Sequence, residues 1–250
     1  MLFFHIFVEL SFFSSVPETY LKKRAHVQRL AKRQAVAAKK QFLASKKLKA
    51  IAFHRAKKYS KIYKAKAAYV TRALHQAKAT GQFFVPAEPK VFFVIRILGT
   101  YGVAPKVRKI LELLRLRKIN QGAFLRVNKA TVNMLLRVTP YVTWGNPSTE
   151  TIRKLIYKRG FAKINGQRIP ITSNELIKKH LGKYGILCIE DIVYQLATCG
   201  PKFKPVNSWL RAFNLNTPTG GWRQKKINYV EGGDAGYRRE AINNLLARMI

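Results

Sequence analysis

The chain has 250 residues, 48% of them hydrophobic, which is enough to bury a core of its own. Its 48 Lys and Arg against 11 Asp and Glu leave a formal net charge of +37, and self-repulsion on that scale calls for a polyanion, nucleic acid being the commonest and an anionic membrane surface the alternative on charge alone. Two cysteines, Cys188 and Cys199, and five scattered histidines offer neither a disulfide framework nor metal-ligand spacing, so buried free thiols and no metal or cofactor are expected.

The charge is uneven. Residues 16–90 hold 20 basic and 2 acidic residues, 91–145 hold 10 and 1, and 146–250 hold 18 and 7. Residues 1–15, MLFFHIFVELSFFSS, carry no Lys or Arg. Their apolar run is broken by His5 and Glu9, too short to span a bilayer, and lacks the positive start of a secretory signal. A disordered apolar extension is the expectation.

Residues 16–88 read as a basic helix and linker. Between 19 and 87 there are 19 basic residues and no acidic one, among many alanines. Ala, Lys, Arg, Leu and Gln favour helix, but like charges at i and i+4 repel without Glu partners. A one-signed helix is therefore expected to be completed by RNA, folding as it binds. Phe42, Phe53, Tyr59, Tyr63 and Tyr69 are interleaved with the cations, where they serve either stacked bases or neighbouring proteins. Gly81 ends the helix, and Pro86 and Pro89 make a stiff extended linker.

Residues 89–145 form the predicted core. Val91 to Ile97 is an apolar β-branched and aromatic run, a buried strand with Arg96 reaching out. Gly99 and Gly102 break the chain, and Pro105 opens a helix with Val107, Ile110, Leu111 and Leu114 on one face. Ala123–Val127 suits a second strand. Asn128 caps a second helix that Pro140 ends, and Tyr141–Trp144 is a third strand. The order is β-α-β-α-β.

Residues 146–250 read as an α-rich region with a hairpin. Thr149–Tyr157 is a helix, and Asn165-Gly166 is a strong two-residue hairpin turn. Thr172 and Glu175 form a capping box for a helix through His180, and Cys188 to Cys199 is a further helix with acids at its start. Gly200–Tyr229, rich in Pro, Gly, Lys and Asn, reads as an irregular binding loop. The final helix is placed from about Gly236 to Met249, capped by Asp234.

LGTYGVAPKVRK follows a strand and opens a helix, yet it lacks the third glycine of a dinucleotide loop and has no GxxxxGK[ST]. Gly99–Gly102 matches GXXG in letters, but a strand precedes it, unlike the helix-joining RNA-binding version. What remains is a helix N-terminus with Lys106, Arg108 and Lys109 on its first turn, a natural phosphate site. The candidate RNA-binding side chains are, on the helix, Lys39, Lys40, Lys46, Lys47, Arg55, Lys57, Lys58, Lys61, Lys64 and Arg72. In the core they are Arg96, Lys106, Arg108, Lys109, Arg115, Arg117 and Lys118. Beyond it come Lys158, Arg159, Arg168, Lys183, Lys202 and Lys204, followed by Trp222, Arg223, Lys225 and Lys226 in PTGGWRQKK. No paired carboxylates in a cleft and no nucleophile set emerge, so an enzyme is not expected.

The run VFFVIRILGTYGVAPKVRKILELLRLRKINQGAFLRVNKATVNMLLRVTPYVTWG resembles the core of the universal L-thirty family of large-subunit ribosomal proteins, in its eukaryotic, L-seven branch. The likeness continues through LIYKRGFAKINGQRIPIT, LGKYGILCIEDIVYQLATCG and NYVEGGDAGYRREAINNLLARM, and covers nearly everything after residue 15. It implies an α+β fold: a three-stranded sheet with two helices on one face, and a long N-terminal helix along rRNA. It further implies a structural constituent of the large cytosolic subunit, partnered by rRNA and neighbouring ribosomal proteins, with no membrane and no small-molecule substrate. Residence on cytoplasmic ribosomes after nucleolar transit follows. A nucleolar assembly factor of the same family, binding precursor rRNA, is the alternative.

Overall fold

The computed structural model describes residues 16–99 and 101–250; the expectation of a disordered extension over residues 1–15 lies outside the described residues. The chain divides into two compact units, one ending at Lys49 and the other running from Ala50 to Ile250.

Helix α1 spans Glu18–Ala79, and its composition explains it: strong helix formers throughout, with no glycine or proline inside. It stops where Gly81 takes a φ of 68°, a left-handed residue that lets the Gln82 amide reach back to the Ala77 carbonyl at 2.8 Å.

The remaining elements of the second unit are built on β1 (Val91–Arg96). β2 (Gln121–Arg126) and β3 (Val142–Gly145) pair antiparallel on its two sides, with Phe93 opposite Phe124 and Val94 opposite Trp144. α2 (Pro105–Leu113) links β1 to its neighbour β2, and α3 (Lys129–Arg137) crosses over from β2 to β3 on the far side of β1. Pro105 stands at the start of α2, and Asn128 caps α3 through the Thr131 amide at 2.8 Å, returned by the Thr131 hydroxyl. The three strands expected of the core are the centre of a five-stranded sheet in the order β6-β2-β1-β3-β7.

The edge strands come from the C-terminal region. There the chain forms α4 (Thr149–Arg159), the hairpin β4 (Phe161–Ile164) and β5 (Gln167–Pro170), then α5 (Asn174–Leu181), α6 (Ile189–Thr198) and α7 (Phe203–Trp209). Short strands β6 (Phe213–Asn214) and β7 (Gly236–Tyr237) follow, and α8 (Ile242–Met249) closes the chain. β6 adds antiparallel to β2 and β7 adds parallel to β3.

A strand alternates its faces, so β1 serves two cores. Phe92 and Val94 pack with Leu111, Leu135 and Trp144 under α2 and α3. Val91, Phe93 and Ile95 pack with residues of α4, α6, α7 and α8 on the opposite face. Burial of both faces is why β1 reads as an unbroken apolar run rather than an alternating one.

Three local expectations are corrected. The cap of α5 is Ser173, whose hydroxyl accepts from the Leu176 amide, because the turn out of the hairpin extends through Thr172. Gly200–Tyr229 is not wholly irregular: Phe203, Val206, Trp209 and Phe213 are buried, and Pro205 falls in the first turn of α7, where its missing N–H costs little. The last helix starts at Ile242 rather than Gly236, since Gly236 pairs with Thr143 in the sheet. Asp234 is no cap; it pairs with Arg238, which also donates to the Thr143 hydroxyl at 2.8 Å.

Candidate nucleic-acid interface

Every Lys and Arg of α1 is exposed except Arg55. Lys39, Lys40, Lys46, Lys47, Lys57, Lys58, Lys61, Lys64 and Arg72 thus stand in solvent as expected. Within the helix Glu18 is the single acid, spent on an exposed pair with Lys22. Such a face keeps its cations available to a polyanion.

Arg55 differs. Its guanidinium donates to the Gly185 carbonyl at 3.0 Å and pairs with Asp191, which is nearly fully buried at the start of α6. The same carboxylate accepts from the Tyr59 hydroxyl at 2.7 Å and from the Leu187 and Cys188 amides at 2.9 and 3.2 Å. Burial pushes the Cys188 thiol up to about 11, helped by the neighbouring Asp191 charge.

The core cations divide into free and engaged groups. Lys106, Arg108 and Lys109 are exposed on the first turn of α2, whose leading amides have no side-chain cap. Arg117 and Lys118 are also exposed. Arg96 does not reach out: it is 2% exposed, and its fork donates to the carbonyls of Leu98, Gly99, Leu116 and Arg117 at 2.7 to 3.1 Å. It ties the β1–α2 turn to the end of α2, because a buried charge persists only when its donors are satisfied. Arg115 is drawn inward in the same way, donating to the Asn207 carbonyl and side chain, both at 2.8 Å, and to the Leu210 carbonyl at 3.1 Å. Burial lowers the pKa of both guanidinium groups from their ordinary value.

In the C-terminal region Lys158, Arg168, Lys183, Lys202, Lys204, Arg223, Lys225 and Lys226 are exposed. Lys183 and Lys202 converge on the Tyr184 ring, 5.1 and 5.9 Å from its centre. Arg159 is half-buried and grips the Ile250 carbonyl at 3.0 Å. Trp222 is half-buried and packs against the core, and the Arg223 amide beside it is held by Asp234 at 2.6 Å. Gly220 and Gly221, with φ of 84° and 72°, make the turn that brings this loop back onto the body.

One feature escaped the sequence reading. Lys163 and Arg211 join Arg115, Arg117 and Arg168 around a cleft of about 750 Å³ bounded by the end of α2, the hairpin and the α7–β6 connection, with Glu112 the one acid among the described residues on its wall. Lys163 was legible in principle. A two-residue turn at Asn165-Gly166 fixes the register that sets Lys163 directly opposite Arg168.

A one-signed helix and clustered surface cations on an α+β body define a basic, polyanion-facing protein. Residues 92–142 match the family described as ribosomal protein L30p/L7e, and residues 16–87 match the ribosomal L30 N-terminal domain. The chain is 50% identical over 234 residues to the large ribosomal subunit protein uL30 of Dictyostelium discoideum, spanning 94% of this chain and 95% of that one. It is 47% identical to the proteins of the same name from Caenorhabditis elegans (94% and 96% covered) and Yarrowia lipolytica (92% and 93%). This chain belongs to the L30p/L7e family of ribosomal proteins.

Proposed function

We propose that the chain is a structural constituent of the large ribosomal subunit, on cytoplasmic ribosomes after transit through the nucleolus. The observation that carries this is its match, over nearly its whole length, to relatives named as that constituent. Its partners are rRNA and neighbouring ribosomal proteins. The exposed cations of α1, the first turn of α2 and the Lys183/Lys202 pair neutralise phosphates, while the sheet and its two cores hold the α2 and Lys183/Lys202 patches in fixed relation. Shape and backbone dominate recognition, since Lys and Arg supply most of the surface donors. The role is one of positioning, with no reaction at its centre.

Sedimentation of the endogenous protein through a sucrose gradient, with and without a high-salt wash, tests this. It is expected in polysomes and on washed large subunits. A peak confined to precursor particles would make it an assembly factor instead. With ten phosphates engaged, log K for purified rRNA falls against log salt with a slope of about 7 to 9. A slope near 2 would overturn the extended contact.

A further inference from the structure

Arginines and lysines rarely face one another without cause, and the cleft beside the hairpin gathers them. Lys163 and Arg168 are direct cross-strand partners, a placement that destabilises a hairpin when both carry the same charge. Arg168 lies over the Phe161 ring at 3.9 Å, which fixes its plane against the strand. Arg211 approaches from the α7–β6 connection; its amide donates to the Phe161 carbonyl at 2.9 Å and its guanidinium to the Gly166 carbonyl. Its Nε is buried and has no partner. Burial and the Arg211 charge both lower the pKa of Arg168, the mark of two cations held together uncompensated. On the opposite wall Arg115 holds a φ of 62°, a left-handed backbone that a branchless glycine would adopt more readily. These are costs, and within the unit Ala50–Ile250 the single acid on the cleft wall does not offset them.

We propose that this cleft seats a sharply turned stretch of rRNA backbone, with Lys163, Arg168 and Arg211 on its phosphates. The inference rests on the reading of the chain as an rRNA-bound constituent and gives that reading a particular site. Phosphodiester fits better than an acidic protein segment on two grounds. Guanidinium forks match phosphate oxygens in pairs, and several of them around one concavity suit a folded strand with closely spaced phosphates. The wall also carries Ser208 and Asn214, polar groups suited to sugar hydroxyls, beside the apolar Leu113, Leu125 and Leu210.

The test uses the full chain carrying Lys163→Ala and Arg168→Ala together, both side chains being exposed. Against purified large-subunit rRNA the salt slope is expected to drop by about 1.4 to 1.8, the equivalent of two phosphates, while the thermal midpoint holds or rises as the repulsion is relieved. In purified large subunits, Lys163 is expected to resist acylation and Arg168 to resist dicarbonyl reagents, and both to become reactive after ribonuclease digestion. An unchanged slope, free reactivity in the intact subunit, or a lowered midpoint would overturn the proposal while leaving the protein a ribosomal constituent. Shielding that survives ribonuclease would place a protein in the cleft and overturn it as well. Failure of the protein to sediment with large subunits at all would instead strike the broader reading.

Discussion

The Tyr59 ring of α1 lies flat on Tyr194 of α6, with centroids 4.5 Å apart and planes 16° from parallel. Tyr63, one turn on, tilts against the same ring at 6.4 Å. Two of the five aromatics interleaved with the helix cations are therefore spent within the chain itself, neither on bases nor on neighbouring proteins. Phe42, Phe53 and Tyr69 remain exposed for such partners. The stack positions Arg55 and Tyr59 over Asp191, so a carboxylate that also caps the start of α6 becomes the anchor of the helix segment above it.

Asp191→Asn removes the charge that Arg55, Tyr59 and two amides share. Hydrogen bonds to a charged group contribute about 1.5 to 3 kcal/mol each, with Arg55 at the low end because it is part-exposed. Tyr59→Phe keeps the stack and loses one bond, costing about 1 kcal/mol. Thermal denaturation of each variant should rank them in that order. Hydrogen exchange should show residues 55–63 opening first in Asp191→Asn, with β1 unaffected.

Alkali should destabilise the body in a defined window. Burial, followed by the nearby Glu190 charge, pushes Tyr63 up to about 12 from 10.0, and burial with the Asp191 and Glu190 hydrogen bonds raises Tyr59 and Tyr157 too. The folded state keeps these protons after the unfolded chain has lost them, so stability is whole below the unfolded value and falls as pH climbs through the folded one. Cys188 adds a like contribution from 9.0 to about 11. Denaturant midpoints taken below, across and above that range should fall monotonically, and Tyr63→Phe should shallow the decline.

Arg96→Lys separates structure from RNA contact. A lysine keeps the charge but cannot serve four carbonyls set around a planar fork. The variant should lose about 2 kcal/mol of stability, within the range for charged hydrogen bonds, and leave the salt slope of rRNA binding unchanged. A slope reduced by about 1 would mean that Arg96 meets a phosphate after all.

Gly122→Ala tests the packing of β2 on β1. A Cβ at residue 122 would lie 2.3 Å from the tip of the Phe93 ring, which is wedged edge-on between Phe124 and Phe213 at 4.9 and 6.0 Å. The ring has no free side to turn toward, so overpacking should cost about 1 to 3 kcal/mol. Chemical denaturation reads it directly.

Much of this architecture was written locally. The helix-forming composition of α1, the proline that opens α2, the Asn128 cap and the Asn165-Gly166 turn act through a few consecutive residues, and each appears where the sequence places it. The one-signed charge likewise marks the chain as a partner of polyanions whatever its fold, because net charge survives any rearrangement. Which cations face outward is another matter. Arg96, Arg115, Arg55 and Arg159 look like their exposed neighbours in the sequence, yet each is drawn onto carbonyls or a carboxylate far along the chain. Strands β6 and β7, two residues each, have no propensity signal of their own and exist only because β2 and β3 leave edges to be paired. Lys163, Arg168 and Arg211 come from two separate segments and become a cleft only after folding. Local chemistry thus determined the elements and the charge, while long-range pairing and the pull of buried carbonyls and carboxylates on particular arginines decided which charges remain available to a polyanion.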